Sequence, residues 1–301
     1  MISASAADPE DTIRRLRACA RPLAPIPTQQ VARLERLSGI RAVLFDVYGT
    51  LFVSASGDIG SSDEQARSRS LGRALEALGI RMDEESVREA AAVLMRAIRE
   101  EHRRGKSRGR EYPEVDMRTI LSRVLDHLAG KGLFAAKADR RFCEILAVEY
   151  ECRLNPTWPM PGAAQTLRCL SERGTDLGII SNAQFFTPLL FPALLSVSPE
   201  KLGFDPELCV WSYRNLEAKP SHALFTGILQ ALAVRDIQPR EVLYVGNDRL
   251  NDIWPAARVG MKTALFAGDR RSFRPRKTDP RLPDVAEDIL LTELVQLIDV
   301  V

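Results

Sequence analysis

The chain has 301 residues, of which 45% are hydrophobic and 27% charged, and its net charge is +2. That length holds one large domain or a domain with an insertion, and the balance of charge offers none of the basic excess that would point to a nucleic-acid partner. Five cysteines without a CxxC pair read as reduced thiols, and three widely separated histidines give no zinc spacing.

The opening segment, MISASAADPED, lacks a basic stretch followed by an apolar core. The apolar run from Thr187 to Val197 is too short for a membrane span and is broken by proline. A cytoplasmic protein with no membrane partner is therefore expected. Helical spacing runs from Asp11 to Arg21 and again from Val31 to Gly39, around Pro22, Pro25 and Pro27, which reads as an N-terminal helical extension over residues 1–40.

Residues 41–52, RAVLFDVYGTLF, form an apolar stretch that ends on Asp46 and turns on Gly49 and Thr50. Such a run suits a strand buried on both faces, with Asp46 at its carboxyl end, where open α/β sheets bind their ligands. A glycine- and serine-rich loop from Ser54 to Asp63 comes next. From about 64 to 155 the pattern is helical, with apolar residues at steps of three and four from Leu71 to Gly79 and from Val87 to Glu100. A helical block of that size after a single strand predicts an insertion.

Strand and helix then alternate. Helices are predicted over Pro161–Gly174 and Ser221–Leu232, and strands over Asp176–Ser181, Glu207–Ser212, Val242–Gly246 and Met261–Phe266. The tail from Pro283 is expected to end in a helix. This alternation predicts an α/β fold: a Rossmann-like parallel sheet flanked by helices, with an inserted and mostly α-helical cap. The expected division is a core of 41–54 and 156–301 and a cap of 55–155.

Three further strand ends carry polar groups. Ser181 and Asn182 close the second strand, Lys219 precedes a proline at a helix start, and Asn247, Asp248, Asn251 and Asp252 follow a glycine turn. Each alone reads equally as a solvated or turn-forming residue. Two acids at i and i+4 repel each other, however, unless a cation or hydrogen-bond donors offset them.

Taken in order, the nucleophile-like Asp46 in DVYGT, Ser181, Lys219 in AKP and the segment Asn247 to Asp252 resemble the four motifs of the haloacid dehalogenase superfamily of hydrolases. The resemblance covers roughly 41–52 and 156–296. It implies that Asp46 attacks an electrophile to form a covalent intermediate, with Lys219 balancing charge. Ser181, Asn182 and the turn residues Gly49 and Thr50 would hold the anion. It further implies Mg2+ as cofactor, bound by Asp46, the backbone carbonyl of Tyr48 and the acidic segment of Asn247, Asp248 and Asp252.

Two departures matter. Members that are phosphatases usually carry an aspartate two residues after the nucleophile as general acid and base, and here that residue is Tyr48, whose ordinary pKa of about 10 suits it poorly to the task. Tyrosine there looks like the 2-haloacid dehalogenase branch, yet the GNDRLND segment is unlike that branch. Asp58, in the loop after the first strand, is a candidate replacement acid against a solvated or helix-capping role. The basic loop from Arg103 to Asp116 and the arginine-rich segment from Phe266 to Lys277 read as solvated or as readers of an anionic substrate.

The expected activity is magnesium-dependent hydrolysis of a small anionic substrate, a phosphate monoester. The alternatives are a metal-independent 2-haloacid dehalogenase or a catalytically weak anion-binding module. No nucleic-acid partner is expected, and a homodimer is left open.

Overall fold

The computed structural model describes residues 8–56, 63–134, 139–282 and 285–301. Their centre is a six-stranded parallel sheet in the order β5-β4-β1-β6-β7-β8, with β1 Ala42–Phe45, β4 Asp176–Ser181, β5 Phe204–Trp211, β6 Val242–Gly246, β7 Lys262–Phe266 and β8 Ile289–Leu291. A separate antiparallel pair joins β2 Phe52–Ser54 to β3 Thr157–Pro159. Strands β1 and β6 are buried on both faces, which is why both read as unbroken apolar runs.

The strand order reverses at β1. Phe45 sits level with Ile179 of β4 on one side and with Val245 of β6 on the other. Parallel register therefore brings Asp46, Ser181 and Gly246 to one edge of the sheet, the usual location of a ligand crevice in open α/β sheets.

Helix α1, Pro9–Cys19, packs against α5 and α7. Between β2 and β3 lie α2 Glu64–Ala77, α3 Glu84–Ser107, α4 Met117–Gly130 and α5 Arg140–Leu154, which pack on one another. Each starts on an aspartate N-cap, Asp63, Asp83, Asp116 or Asp139, whose carboxylate accepts from a backbone N–H of the first turn. The remaining helices flank the sheet: α6 Ala163–Glu172, α7 Leu190–Leu194, α8 Ser212–Asn215, α9 His222–Val234, α10 Trp254–Arg258 and α11 Leu297–Val300.

Two expectations are corrected. Residues 31–39 are not helical: Arg33 exchanges both backbone hydrogen bonds with Leu290, at 2.9 and 3.0 Å, so the segment runs extended along β8, and its apolar Val31 and Leu34 are exposed. The basic stretch from Arg103 to Ser107 continues α3 and is not a loop, as suits arginine and lysine near a helix C-terminus. The tail ends in a helix as expected, a 3-10 turn at Leu294–Gln296 leading into Leu297–Val300, and β8 adds a strand to the sheet edge ahead of it. Asp58 lies outside the described residues.

Candidate active site

Asp46 follows β1, and its Oδ1 lies 2.7 Å from Lys219 Nζ and accepts a 2.8 Å hydrogen bond from Ser181 Oγ. Lys219 also reaches Asp252 Oδ1 at 2.6 Å, and its backbone N–H donates to Asn182 Oδ1 at 2.7 Å. Lys219 thus ties the ends of β1, β4 and β6 together, its ammonium through Asp46 and Asp252 and its backbone N–H through Asn182. All four of Asp46, Ser181, Lys219 and Asp252 are buried. Burial opposes the charge on Lys219, but Asp252 and Asp46 outweigh it and hold the ammonium above its ordinary range. Burial pushes the Asp252 carboxyl up to about 7 against the pull of Lys219, and the nearby Asp46 and Asp248 push the same way.

The i, i+4 repulsion between Asp248 and Asp252 is relieved in two directions. Asp252 takes Lys219 on Oδ1 and the Asp248 N–H on Oδ2 at 2.9 Å. Asp248 turns instead to Arg276, which grips both its oxygens at 3.1 and 2.6 Å. It also caps the single π-helical turn Arg249–Ile253 by accepting from the Leu250 and Asn251 N–H groups. Asn247 presents its amide differently, accepting from Thr50 Oγ1 at 3.1 Å and donating to the Ser272 carbonyl at 2.7 Å.

Gly49 has φ +82°, and a Cβ there would lie 2.6 Å from Ser272 Cβ and 3.0 Å from Asn247 Cγ. The turn after Asp46 therefore needs glycine both for its left-handed backbone and for the close approach of Asn247. Within this turn the Gly49 N–H donates to the Phe52 carbonyl and the Thr50 N–H to that of Val47. Those two amides are thus used in the turn itself. Among the described residues, the Val47 and Tyr48 N–H groups have no acceptor and are the ones left for an anion.

The Tyr48 hydroxyl is hydrogen-bonded to Thr187 Oγ1 at 3.0 Å. Burial first and Glu151 second drive its phenol far above the usual tyrosine range, so it stays protonated.

A magnesium ion demands hard oxygen ligands, and it commonly takes one or two carboxylates and fills the rest of its shell with water. Among the described residues, no three His, Cys, Asp or Glu side chains are grouped for a cation. The oxygens of Asp252 and Asp248 are engaged as described above. Asp46 Oδ2, the Tyr48 carbonyl and the second lone pair of Asn247 Oδ1 carry no hydrogen bond and fit such an ion by donor type.

These groups open into a cavity of about 460 Å³ roofed by α2, α3 and α5. Four participants had no clear sequence signal. Tyr244 sits in the apolar β6 and donates to the Ile180 carbonyl at 2.7 Å, standing 3.3 Å from Lys219 Nζ. Thr187 and Arg276 contact Tyr48 and Asp248 from distant loops. Glu151 reaches the cavity from α5, and its only signal was an acid amid the apolar residues of a helix.

A family sequence model described as haloacid dehalogenase-like hydrolase matches residues 40–260. The chain belongs to this family of hydrolases. A curated member, ribulose-1,5-bisphosphate 5-phosphatase of Halopiger xanaduensis, is 29% identical over 144 residues, which is 47% of this chain and 56% of that protein. The chain thus matches little more than half the length of that curated relative.

Among solved structures, 2-haloacid dehalogenase from Pseudomonas syringae pv. tomato superposes with a TM-score of 0.51 at 21% identity, covering 87% of this chain and 97% of that one. A defluorinating L-2-haloacid dehalogenase gives 0.51 at 18% identity, covering 89% and 98%. At such identities the likeness is one of fold. Both superpositions agree with the parallel sheet and flanking helices of a haloacid dehalogenase-like hydrolase.

Proposed function

We propose that this hydrolase cleaves phosphate monoesters of small metabolites, with Asp46 as the covalent nucleophile and the α2–α5 block as a cap over the site. The observation that carries the reading is the posture of Asp46. Its Oδ1 is fixed by Lys219 and Ser181 while Oδ2 is unengaged, and Asp46 lines the cavity. A carboxylate held by one oxygen and open at the other is oriented for attack.

The reaction replaces the bond from phosphorus to the alcohol oxygen with one from phosphorus to Asp46 Oδ2, and water then releases phosphate and restores the carboxylate. Lys219 lowers the repulsion between Asp46 and the incoming dianion. The Val47 and Tyr48 N–H groups and the Asn182 amide supply donors for the peripheral oxygens. Asn182 is positioned by the bond its Oδ1 accepts from the Lys219 N–H. A magnesium ion held by Asp46, the Tyr48 carbonyl and Asn247 would supply further positive charge opposite the phosphate.

The curated phosphatase relative supports a phosphoryl substrate. The second reading, 2-haloacid dehalogenation, is favoured by Tyr48, which leaves the core without an acid two residues past the nucleophile. A panel of phosphate monoesters with and without magnesium, run beside 2-haloacids, separates the two. Phosphate release that needs the metal and vanishes in Asp46→Asn supports the phosphatase, whereas metal-free halide release replaces it with the dehalogenase.

A further inference from the structure

When a carboxylate displaces an alkoxide from phosphorus, the departing oxygen needs a proton, and the water that later opens the acyl phosphate must lose one. Asp46 is the attacking group and cannot also serve. Lys219 is clasped by two carboxylates, which hold its proton. Tyr48 keeps its proton and is bonded to Thr187.

The cap side of the cavity carries a further carboxyl, one of whose oxygens is unpaired. Glu151, near the C-terminal end of α5, lines the same space as Asp46 and Tyr48. Its Oε1 is sealed from solvent, yet no described residue forms a hydrogen bond with it. Among the described residues, Ser56 Oγ and Asn155 Nδ2, whose residues are joined by the Ser56 N–H donating to Asn155 Oδ1, are also without partners. Leaving a buried polar atom unpaired costs roughly 1–3 kcal/mol, so three together mark a place that the fold alone does not complete.

We propose that Glu151 is the proton-transfer residue of this site, a role that rests on the phosphatase reading. As Asp46 Oδ2 bonds to phosphorus and the P–O bond to the alcohol breaks, the proton of the Glu151 carboxylic acid passes to the departing oxygen. The resulting carboxylate then takes a proton from water as that oxygen bonds to phosphorus and the Asp46–phosphorus bond breaks, which returns both side chains to their starting forms.

The surroundings suit the task. Burial raises the Glu151 carboxyl to about 7, with only the Asn155 amide pulling the other way, so both forms are accessible near neutrality. Tyr48 lines the same cavity as both carboxyls, and both push its phenol up. The other charged or titratable groups facing the cavity from the cap are Arg67, Arg99, His102, Glu114 and Tyr150. Glu114 has one oxygen on the Val115 N–H at 2.8 Å and the other on Ser212 Oγ at 2.9 Å. Burial and Lys106 hold His102 below the ordinary histidine. Tyr150 is raised by burial beyond any use as an acid.

The test compares the wild type and Glu151→Gln on 4-nitrophenyl phosphate, whose leaving group departs unaided, and on phenyl phosphate, whose leaving group needs the proton, both with magnesium. The first step is read as the pre-steady-state burst of released phenol or 4-nitrophenol: the expected result is a loss of burst rate of about 10² to 10⁴ on phenyl phosphate and a much smaller one on 4-nitrophenyl phosphate, while steady-state kcat falls on both because the water step has lost its base. Equal losses of burst rate on both, or a steady-state kcat unchanged on both, overturn the assignment. The ratio is read on one preparation, so partial misfolding of the variant cancels out. Silence of the wild type on both esters overturns the phosphatase reading itself, and a wild type that turns over with an unaltered ratio in the variant overturns Glu151 alone.

Discussion

Lys219 Nζ lies 2.6 Å from Asp252 Oδ1, deep in the site and beyond the reach of solvent, and the same nitrogen holds Asp46. The lysine is therefore a structural tie between the two carboxylates. Removing it leaves two buried carboxylates without a counter-ion, which costs roughly 3–5 kcal/mol. Lys219→Met is expected to lose all turnover and to lower the unfolding free energy from urea titration by that amount. Lys219→Met combined with Asp252→Asn should recover part of the stability and none of the activity. A double variant as unstable as the single one would contradict the pairing.

Ser181→Ala removes the 2.8 Å hydrogen bond that orients Asp46. A bond to a charged acceptor contributes about 1.5–3 kcal/mol, so kcat should fall by roughly ten- to a hundredfold with KM little changed. Steady-state kinetics on whichever substrate the panel identifies reads this directly. A change in KM alone would mean that Ser181 acts on the substrate instead.

A Cβ on Gly246 would lie 2.3 Å from Asp252 Cγ, at the point where the acid folds back on the end of β6. Gly246→Ala must push Asp252 away from Lys219, at a cost of about 1–3 kcal/mol from overpacking alone. Thermal unfolding should show this loss together with impaired turnover. A stable and fully active variant would mean that the contact yields freely.

Asp248 and Arg276 test the geometry of the acidic segment. Arg276 is partly exposed, so Arg276→Met is expected to cost about 1 kcal/mol or less. Asp248→Ala also strips the cap from the π-helical turn and is expected to cost about 1–2 kcal/mol more. Denaturant titrations of both variants would establish the order, and a larger cost for Arg276 would reverse the assignment.

Stability should depend on pH through Glu151. Its folded value of about 7 lies above the ordinary 4.5, so between those values the folded chain binds the proton more tightly than the unfolded one. Stability from this group is therefore complete below about pH 4.5 and declines as pH rises towards 7. Asp252 shifts the same way in both proteins. Urea midpoints across that window should fall more steeply for the wild type than for Glu151→Gln, and parallel curves would remove the shift.

Much of the site was legible because β-α-β chemistry writes locally. Asp46, Ser181, Lys219 and Asp252 each stand at the end of an apolar run or beside a glycine or proline. Parallel strands of similar length then leave no other place for them than one edge of the sheet. The misread segments failed for the opposite reason. Residues 31–39 have helical spacing, but their backbone pairs with Leu290, a partner more than 250 positions away.

The sequence by itself determined the parallel α/β sheet, the order of the four polar strand ends and the placing of Asp46 at the end of the first strand, because periodicity and strand termini are local properties. Only the tertiary structure decided which acid faces Lys219 and which faces Arg276, that the Tyr48 hydroxyl is spent on Thr187, and that Glu151 looks into the cavity. Those outcomes depend on burial and on which distant side chains meet, and neither is encoded in the spacing of any one segment.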